Sequence, residues 1–208
     1  RADCTPGGDE CGQDALCVAH GRCMDTCAGV EVNLTMLVPL VMLLIDQSGS
    51  MSENFGGQPR WDAVETALVG GNGVVPALED EVFFGVGLYT SNGGFAGGEC
   101  PIIRSVTPAL NNAGPIADLI GDNGPDGDTP TGESLVAVTD IIEAIPSDPL
   151  HPRGANLIVL ATDGEPDTCE VPNPQNGLED SIAGAQYAFD NGIRVVVLSV
   201  GRYVSEPH

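Results

Sequence analysis

The segment Asp46-Gln47-Ser48-Gly49-Ser50-Met51 sets one carboxylate and two hydroxyls at alternate positions. In an extended turn alternate side chains point the same way, so the three oxygens can converge on one point. All three are hard donors. They suit Mg2+, Mn2+ or Ca2+, whereas zinc prefers nitrogen and sulfur. One carboxylate is a modest charge and leaves room for further ligands. Two later segments offer them: Asp163 in Thr162-Asp163-Gly164-Glu165, and Thr129 in Gly127-Asp128-Thr129-Pro130-Thr131.

These residues need elements to position them. Val38 to Asp46 is nearly all apolar, as a central strand buried on both faces should be, with Pro39 at its entry. Further strands are expected over Val82–Thr90, Ile102–Val106, Asn156–Thr162 and Arg194–Val200. Helical spacing marks Arg60–Val69, with Pro59 suited to its first turn, and also Gly132–Ile145 and Leu178–Asp190. Short helical turns are expected at Val74–Leu78 and Ile116–Ile120. Strands alternating with helices predict an α/β fold: a doubly wound, mostly parallel sheet with helices on both faces. Ligand sites in such sheets lie at the carboxyl ends of the strands. The loops after Ile45, Tyr89, Ala161 and Ser199 are therefore the place to look, and Asp46 and Asp163 fall in two of them.

The pattern resembles the von Willebrand factor type A family, also called the integrin inserted-domain family. Its metal-ion-dependent adhesion site reads Asp-x-Ser-x-Ser, then a Thr, then an Asp after a strand. Asp46, Ser48 and Ser50 match the first part, and Asp163 in Ile-Val-Leu-Ala-Thr-Asp-Gly matches the last. Thr129 is the best match for the threonine because it precedes Pro130 and a helix start; Thr131 is a close rival. The resemblance covers roughly residues 33 to 205. It implies a Rossmann-like fold in which these residues hold a divalent cation, Mg2+ or else Mn2+ or Ca2+, with one position open. A partner's Asp or Glu would complete the shell. The chain would then be an adhesion or assembly module and not an enzyme. Asp128 and Glu165 would form part of an acidic rim around the ion. Family members continue past the last strand found here with a helix, another strand and a final helix. The sequence stops at His208, which reads as a truncated chain or as a sheet completed by a partner's strand.

Composition narrows the class of function. The 7 cations are all Arg, against 30 acidic residues, for a net charge of −23. That excludes a nucleic-acid binder working through phosphate contacts and a polybasic membrane-surface protein. The longest apolar run, Leu34–Ile45, is interrupted by Thr35 and Pro39 and is too short to span a bilayer.

Five of the 7 cysteines, Cys4, Cys11, Cys17, Cys23 and Cys27, crowd the first 27 residues without C-x2-C pairs. This reads as a disulfide-stapled module over residues 1–29, ahead of the main domain at 30–208. The module resembles small Cys-rich repeats that precede such domains in secreted bacterial proteins. Cys100 and Cys169 lie in loops at the same end of the sheet, so geometry allows them to pair. The odd count leaves one thiol over. Such cysteine usage points to an oxidising compartment: secreted, or at the cell surface with outer-membrane anchoring included. Asn33-Leu34-Thr35 is a sequon, but such tripeptides are common by chance. His20, His151 and His208 read as surface residues and Trp61 as core.

Two other functions match parts of this pattern. A dehalogenase-type phosphotransferase needs a second Asp where Ser48 stands, and a Lys this sequence lacks. A structural subunit of a surface filament, pilus or coat shares the fold and differs only in its partner, a sibling subunit.

Overall fold

The computed structural model describes residues 4, 15–18, 22–25, 37–92, 98–171 and 175–201. Cys11, Cys27, His20, His208 and the sequon at Asn33 lie outside the described residues. The chain divides into two compact units, Arg1–Thr35 and Met36–His208.

In the first unit β1 (Ala15–Val18) and β2 (Arg22–Asp25) form an antiparallel hairpin in which Cys17 faces Cys23. Cys4 and Cys17 are joined by a disulfide with Cα atoms 5.7 Å apart. Cys23 is disulfide-bonded as well. The segment has too few apolar residues for its strands to show as a periodic pattern.

The second unit is built on a five-stranded sheet: β3 (Val38–Asp46), β6 (Phe83–Thr90), β7 (Ile102–Ala109), β8 (Arg153–Thr162) and β9 (Ile193–Ser199). A small hairpin, β4 (Asn54–Phe55) with β5 (Gln58–Pro59), follows β3. The order in the sheet is β7-β6-β3-β8-β9. β3 runs parallel to β6 and β8, and β9 runs parallel to β8. The helices are α1 (Arg60–Val69), α2 (Val74–Leu78), α3 (Ala113–Gly121), α4 (Thr131–Glu143) and α5 (Leu178–Asp190).

The period-two alternation of β3 divides the core. Leu43 and Ile45 pack with Trp61, Val64, Ile116 and Ile120 from α1 and α3. Leu40, Met42 and Leu44 pack on the other face with Leu135, Val138 and Ile142 from α4 and Ala188 from α5. Both faces of the central strand are dry, which is why its sequence reads as one apolar run. α4 and α5 approach closely through glycines: a Cβ on Gly184 would lie 2.5 Å from the Gly132 carbonyl oxygen.

Three boundaries differ from the sequence reading by about three residues, each with a local contact beside it. β7 extends to Ala109 rather than stopping at Val106. It is an antiparallel edge strand, where Pro108 is tolerated and packs against Gly85. α3 starts at Ala113, where the Glu79 carboxylate accepts the Ala113 N–H over 2.8 Å, satisfying a donor at the helix start. β8 begins at Arg153, which pairs with Val38 of β3, and its guanidinium reaches the carbonyls of Ile142 (3.3 Å) and Ile145 (3.1 Å) near the end of α4. On the outer strand β9, Val196, Val197 and Leu198 are exposed.

Candidate metal centre

Asp46 ends β3 and is fully buried. One carboxylate oxygen, Oδ1, accepts the Ser48 N–H over 2.8 Å. The other, Oδ2, accepts the Thr162 hydroxyl over 2.8 Å, at the end of β8. Burial pushes the Asp46 carboxyl up to about 6, against the pull of the Ser48 and Thr162 hydrogen bonds; the nearby charge of Asp163 adds to the rise. Past Asp46 the chain makes a tight 3-10 turn over Gly49–Ser52, with Met51 fully buried beneath it. That anchor fixes the loop. Ser48 Oγ lies 3.0 Å from Ser50 Oγ, and Ser50 Oγ donates to Asp163 Oδ1 over 2.7 Å. A contact chain of hard oxygens thus joins the ends of β3 and β8.

The loop bearing Thr129 is zipped onto the Asp46 loop. Asp126 N–H donates to the Gln47 carbonyl (2.6 Å), Gly49 N–H to the Gly127 carbonyl (3.1 Å) and Gln47 Nε2 to the Gly124 carbonyl (2.7 Å). Gly127 has φ +78°, a left-handed conformation, and lies against the Ser91 carbonyl with no room for a Cβ. Thr129 is buried. Its N–H donates to Asp167 Oδ2 over 3.2 Å, and its carbonyl accepts the Asp167 N–H over 2.9 Å. Thr131 differs. Its hydroxyl lies 3.2 Å from the buried Tyr89 hydroxyl and 3.3 Å from the Thr129 carbonyl, so it is engaged with the core side of the loop.

Four residues at the site have no motif to announce them. Thr162 holds Asp46, and Tyr89 holds Thr131. Asp167 clamps Thr129; burial raises its carboxyl above the usual range, while the Thr129 N–H lowers it and the Asp128 charge raises it further. Arg60, at the start of α1, is buried. Its Nη1 lies 2.6 Å from Asp163 Oδ2 and 3.0 Å from the Ser50 carbonyl. The one available signal for Arg60 was its rarity, a lone cation beside Trp61 at a helix start.

At the rim, Asp128 Oδ2 accepts the Ser91 hydroxyl over 3.3 Å, and Glu165 is exposed. Cys100 and Cys169 form a disulfide with Cα atoms 5.4 Å apart. Cys169 N–H donates to Glu133 Oε1 over 2.7 Å, so the loop carrying Asp163 and Asp167 is also tied to α4. His151 is exposed and pairs with Asp148, and Trp61 is in the core.

The donor set fits a hard divalent cation. Asp46 is a buried carboxylate with no ion pair among the described residues. Among those residues no three His, Cys, Asp or Glu side chains gather as a metal site. An ion here would therefore draw on hydroxyls as well as carboxylates, as a hard, oxygen-seeking cation can.

The same arrangement of elements recurs in solved structures. A pilus adhesin, SpaC from Lactobacillus rhamnosus GG, superposes with a TM-score of 0.62 at 18% identity, over 80% of this chain and 25% of that one. The PilB minor pilin from Streptococcus sanguinis gives a TM-score of 0.57 at 16% identity, over 86% of this chain and 53% of that one. The manganese-loaded Plasmodium vivax TRAP protein gives 0.53 at 21% identity, over 80% and 58%. These likenesses, at 16–21% identity, are of fold, and the fold is the Rossmann-like α/β one that the resemblance to von Willebrand factor type A domains implies. This chain spans about a quarter of the pilus adhesin and little more than half of the other two. No protein-family model matches the chain. No curated protein matches it in sequence. Among the described residues no helix is long and apolar enough to cross a membrane.

Proposed function

We propose that the chain is a divalent-cation-dependent protein-binding module acting outside the cell or at its surface. Asp46, Ser48, Ser50, Thr129 and Asp163 hold the cation, Mg2+ or else Mn2+ or Ca2+. When bound, the ion supplies a Lewis-acidic position that a partner's Asp or Glu carboxylate can fill. Asp46 contributes charge from the dry interior, and the two serines contribute neutral oxygens at the mouth. Asp167 fixes the backbone of Thr129 from below. The carrying observation is the contact of Ser50 Oγ with both Ser48 Oγ and Asp163 Oδ1, at 3.0 and 2.7 Å, which joins donors from two strand ends. The engagement of Thr131 with Tyr89 supports Thr129 as the threonine donor. The likeness to a pilus adhesin, a minor pilin and a manganese-loaded protein supports surface adhesion or assembly, with no catalytic role. The Cys100–Cys169 and Cys4–Cys17 disulfides support an oxidising compartment, and residues 1–29 serve as a stapled module ahead of the main domain.

A second reading makes the partner a sibling subunit of a surface filament. It is favoured by the exposed Val196, Val197 and Leu198 on the outer strand β9. The two readings separate in one experiment. Immobilised peptides bearing Glu or Asp, and their Gln or Asn counterparts, are offered to the protein with Mg2+ or with chelator. Binding that needs both the carboxylate and Mg2+, and is lost in Asp163→Ala, supports the adhesion site. Equal binding to the amide peptides, or binding that survives chelation, overturns it.

A further inference from the structure

Within the proposed cation site, Arg60 has no role among the donors, yet it is placed against one of them. It is one of only 7 cations in the sequence and is almost fully buried. Nη1 makes three contacts: Asp163 Oδ2 at 2.6 Å, the Ser50 carbonyl at 3.0 Å and Glu53 Oε2 at 3.1 Å. Its Nε is buried with no partner. The Glu53 side chain is 60% exposed, so water screens its charge, whereas that of Asp163 is fully buried. A buried guanidinium is tolerated only when paired, and the partner that pairs Arg60 in the interior is Asp163, one of the proposed donors.

The charges indicate what this pairing does. Asp46 and Asp163 bring two negative charges to the site, and a divalent cation on those two alone would leave it neutral. A neutral centre draws a carboxylate only at short range, through the ion's open position. Arg60 adds one positive charge against the buried Asp163, a unit that the two donor carboxylates and the cation do not cancel among themselves. In a dry setting that charge acts with little screening. We infer that Arg60 is a specificity-determining residue: its buried charge weakens hold of the cation and makes the loaded site select an anionic, carboxylate-bearing ligand. This rests on the cation site proposed above. It names what makes that site demand an acidic partner.

The test uses Arg60→Gln, which removes the charge and keeps a donor, and Arg60→Lys, which keeps the charge and loses the fork. Folding of each is checked by circular dichroism. Metal affinity is read by titrating chelator-stripped protein with Mn2+. Anion affinity is read as the broadening of the acetate methyl resonance by protein-bound Mn2+. Loss of one unit charge at this distance should tighten Mn2+ binding by roughly tenfold in Arg60→Gln and weaken acetate binding by a similar factor. Arg60→Lys should follow the wild type within about threefold on both counts. A folded Arg60→Gln protein with unchanged or weaker Mn2+ binding overturns the inference while leaving the cation site standing. So does an Arg60→Lys protein that loses acetate binding, which holds even if Arg60→Gln fails to fold. A wild-type protein that binds no Mn2+ overturns the cation site itself, and the inference with it.

Discussion

Ser50 donates its hydroxyl to Asp163 Oδ1 over 2.7 Å, although 113 residues separate the two in the chain. The contact exists because β3 and β8 are parallel neighbours whose carboxyl ends emerge side by side. Ser50 leaves the first on a turn pinned by Met51, and Asp163 leaves the second directly. The site is a consequence of sheet register: Ile45 is paired with Ala161, and the donors follow within a few residues on each strand.

Asp46 gives the site a pH signature that can be read without metal. Its carboxyl is raised by burial from 3.8 in the unfolded chain to about 6. The folded state therefore holds this proton more tightly than the unfolded state. The resulting stabilisation is fully present below about pH 4 and is lost as pH rises through about 6. Asp46→Asn cannot ionise. In chelator-treated protein, urea midpoints of wild type and Asp46→Asn should converge near pH 4, and the variant should be the more stable at pH 7. Equal pH dependence in both proteins would show that Asp46 is not strained by its burial.

Much of this was legible in the sequence. The all-apolar run Val38–Asp46 specified a strand buried on both faces, and the spacing Asp46, Ser48, Ser50 specified a loop of hard oxygens. The second strand end gave Asp163 because Asp-Gly follows the strand segment Ile-Val-Leu-Ala-Thr. What the sequence did not reveal are the residues that act through backbone or through space. Asp167 clamps the Thr129 backbone from 38 positions away, and Arg60 pairs with Asp163 across 103. Neither contact leaves a periodicity or spacing to read. The choice between Thr129 and Thr131 likewise depends on where Tyr89 sits, which follows only from the strand register.

That choice is open to a direct comparison. Thr129→Val should weaken Mn2+ binding by roughly tenfold, since it deletes one oxygen donor. Thr131→Val should leave Mn2+ binding within about twofold and cost about 1 kcal/mol of stability through the lost Tyr89 contact. Titration and urea denaturation of both variants check this. The reverse pattern would make Thr131 the donor.

Gly127 holds the Thr129 loop in a shape that a side chain cannot share. Gly127→Ala meets both the left-handed φ of +78° and the Ser91 carbonyl. It should cost about 1–3 kcal/mol and lower metal affinity, because the loop must move away from Gly49. Gly164→Ala is the control: its Cβ would meet nothing within 4 Å. Equal losses from the two substitutions would contradict the role assigned to the loop.

The Cys100–Cys169 disulfide closes a segment of 69 residues that includes the Thr129 loop and ends just past Asp167. Replacing both cysteines by Ser should lower stability by about 4 kcal/mol on chain-entropy grounds. Urea denaturation of the double variant reads the change. An unaltered midpoint would mean that the Glu133 and Asp167 hydrogen bonds hold the loop unaided.

Residues from three separate segments, Asp46 with Ser48 and Ser50, then Thr129, then Asp163, are proposed to bind one divalent cation. The most direct test is calorimetric titration of the chelator-stripped protein with Mg2+, Mn2+ and Ca2+, beside Asp163→Ala. One saturable site per chain is expected for at least one of the three ions, abolished in the variant while its circular dichroism stays native. Weak, non-saturating uptake that is the same in Asp163→Ala would contradict it and reduce the constellation to an acidic surface that merely attracts cations.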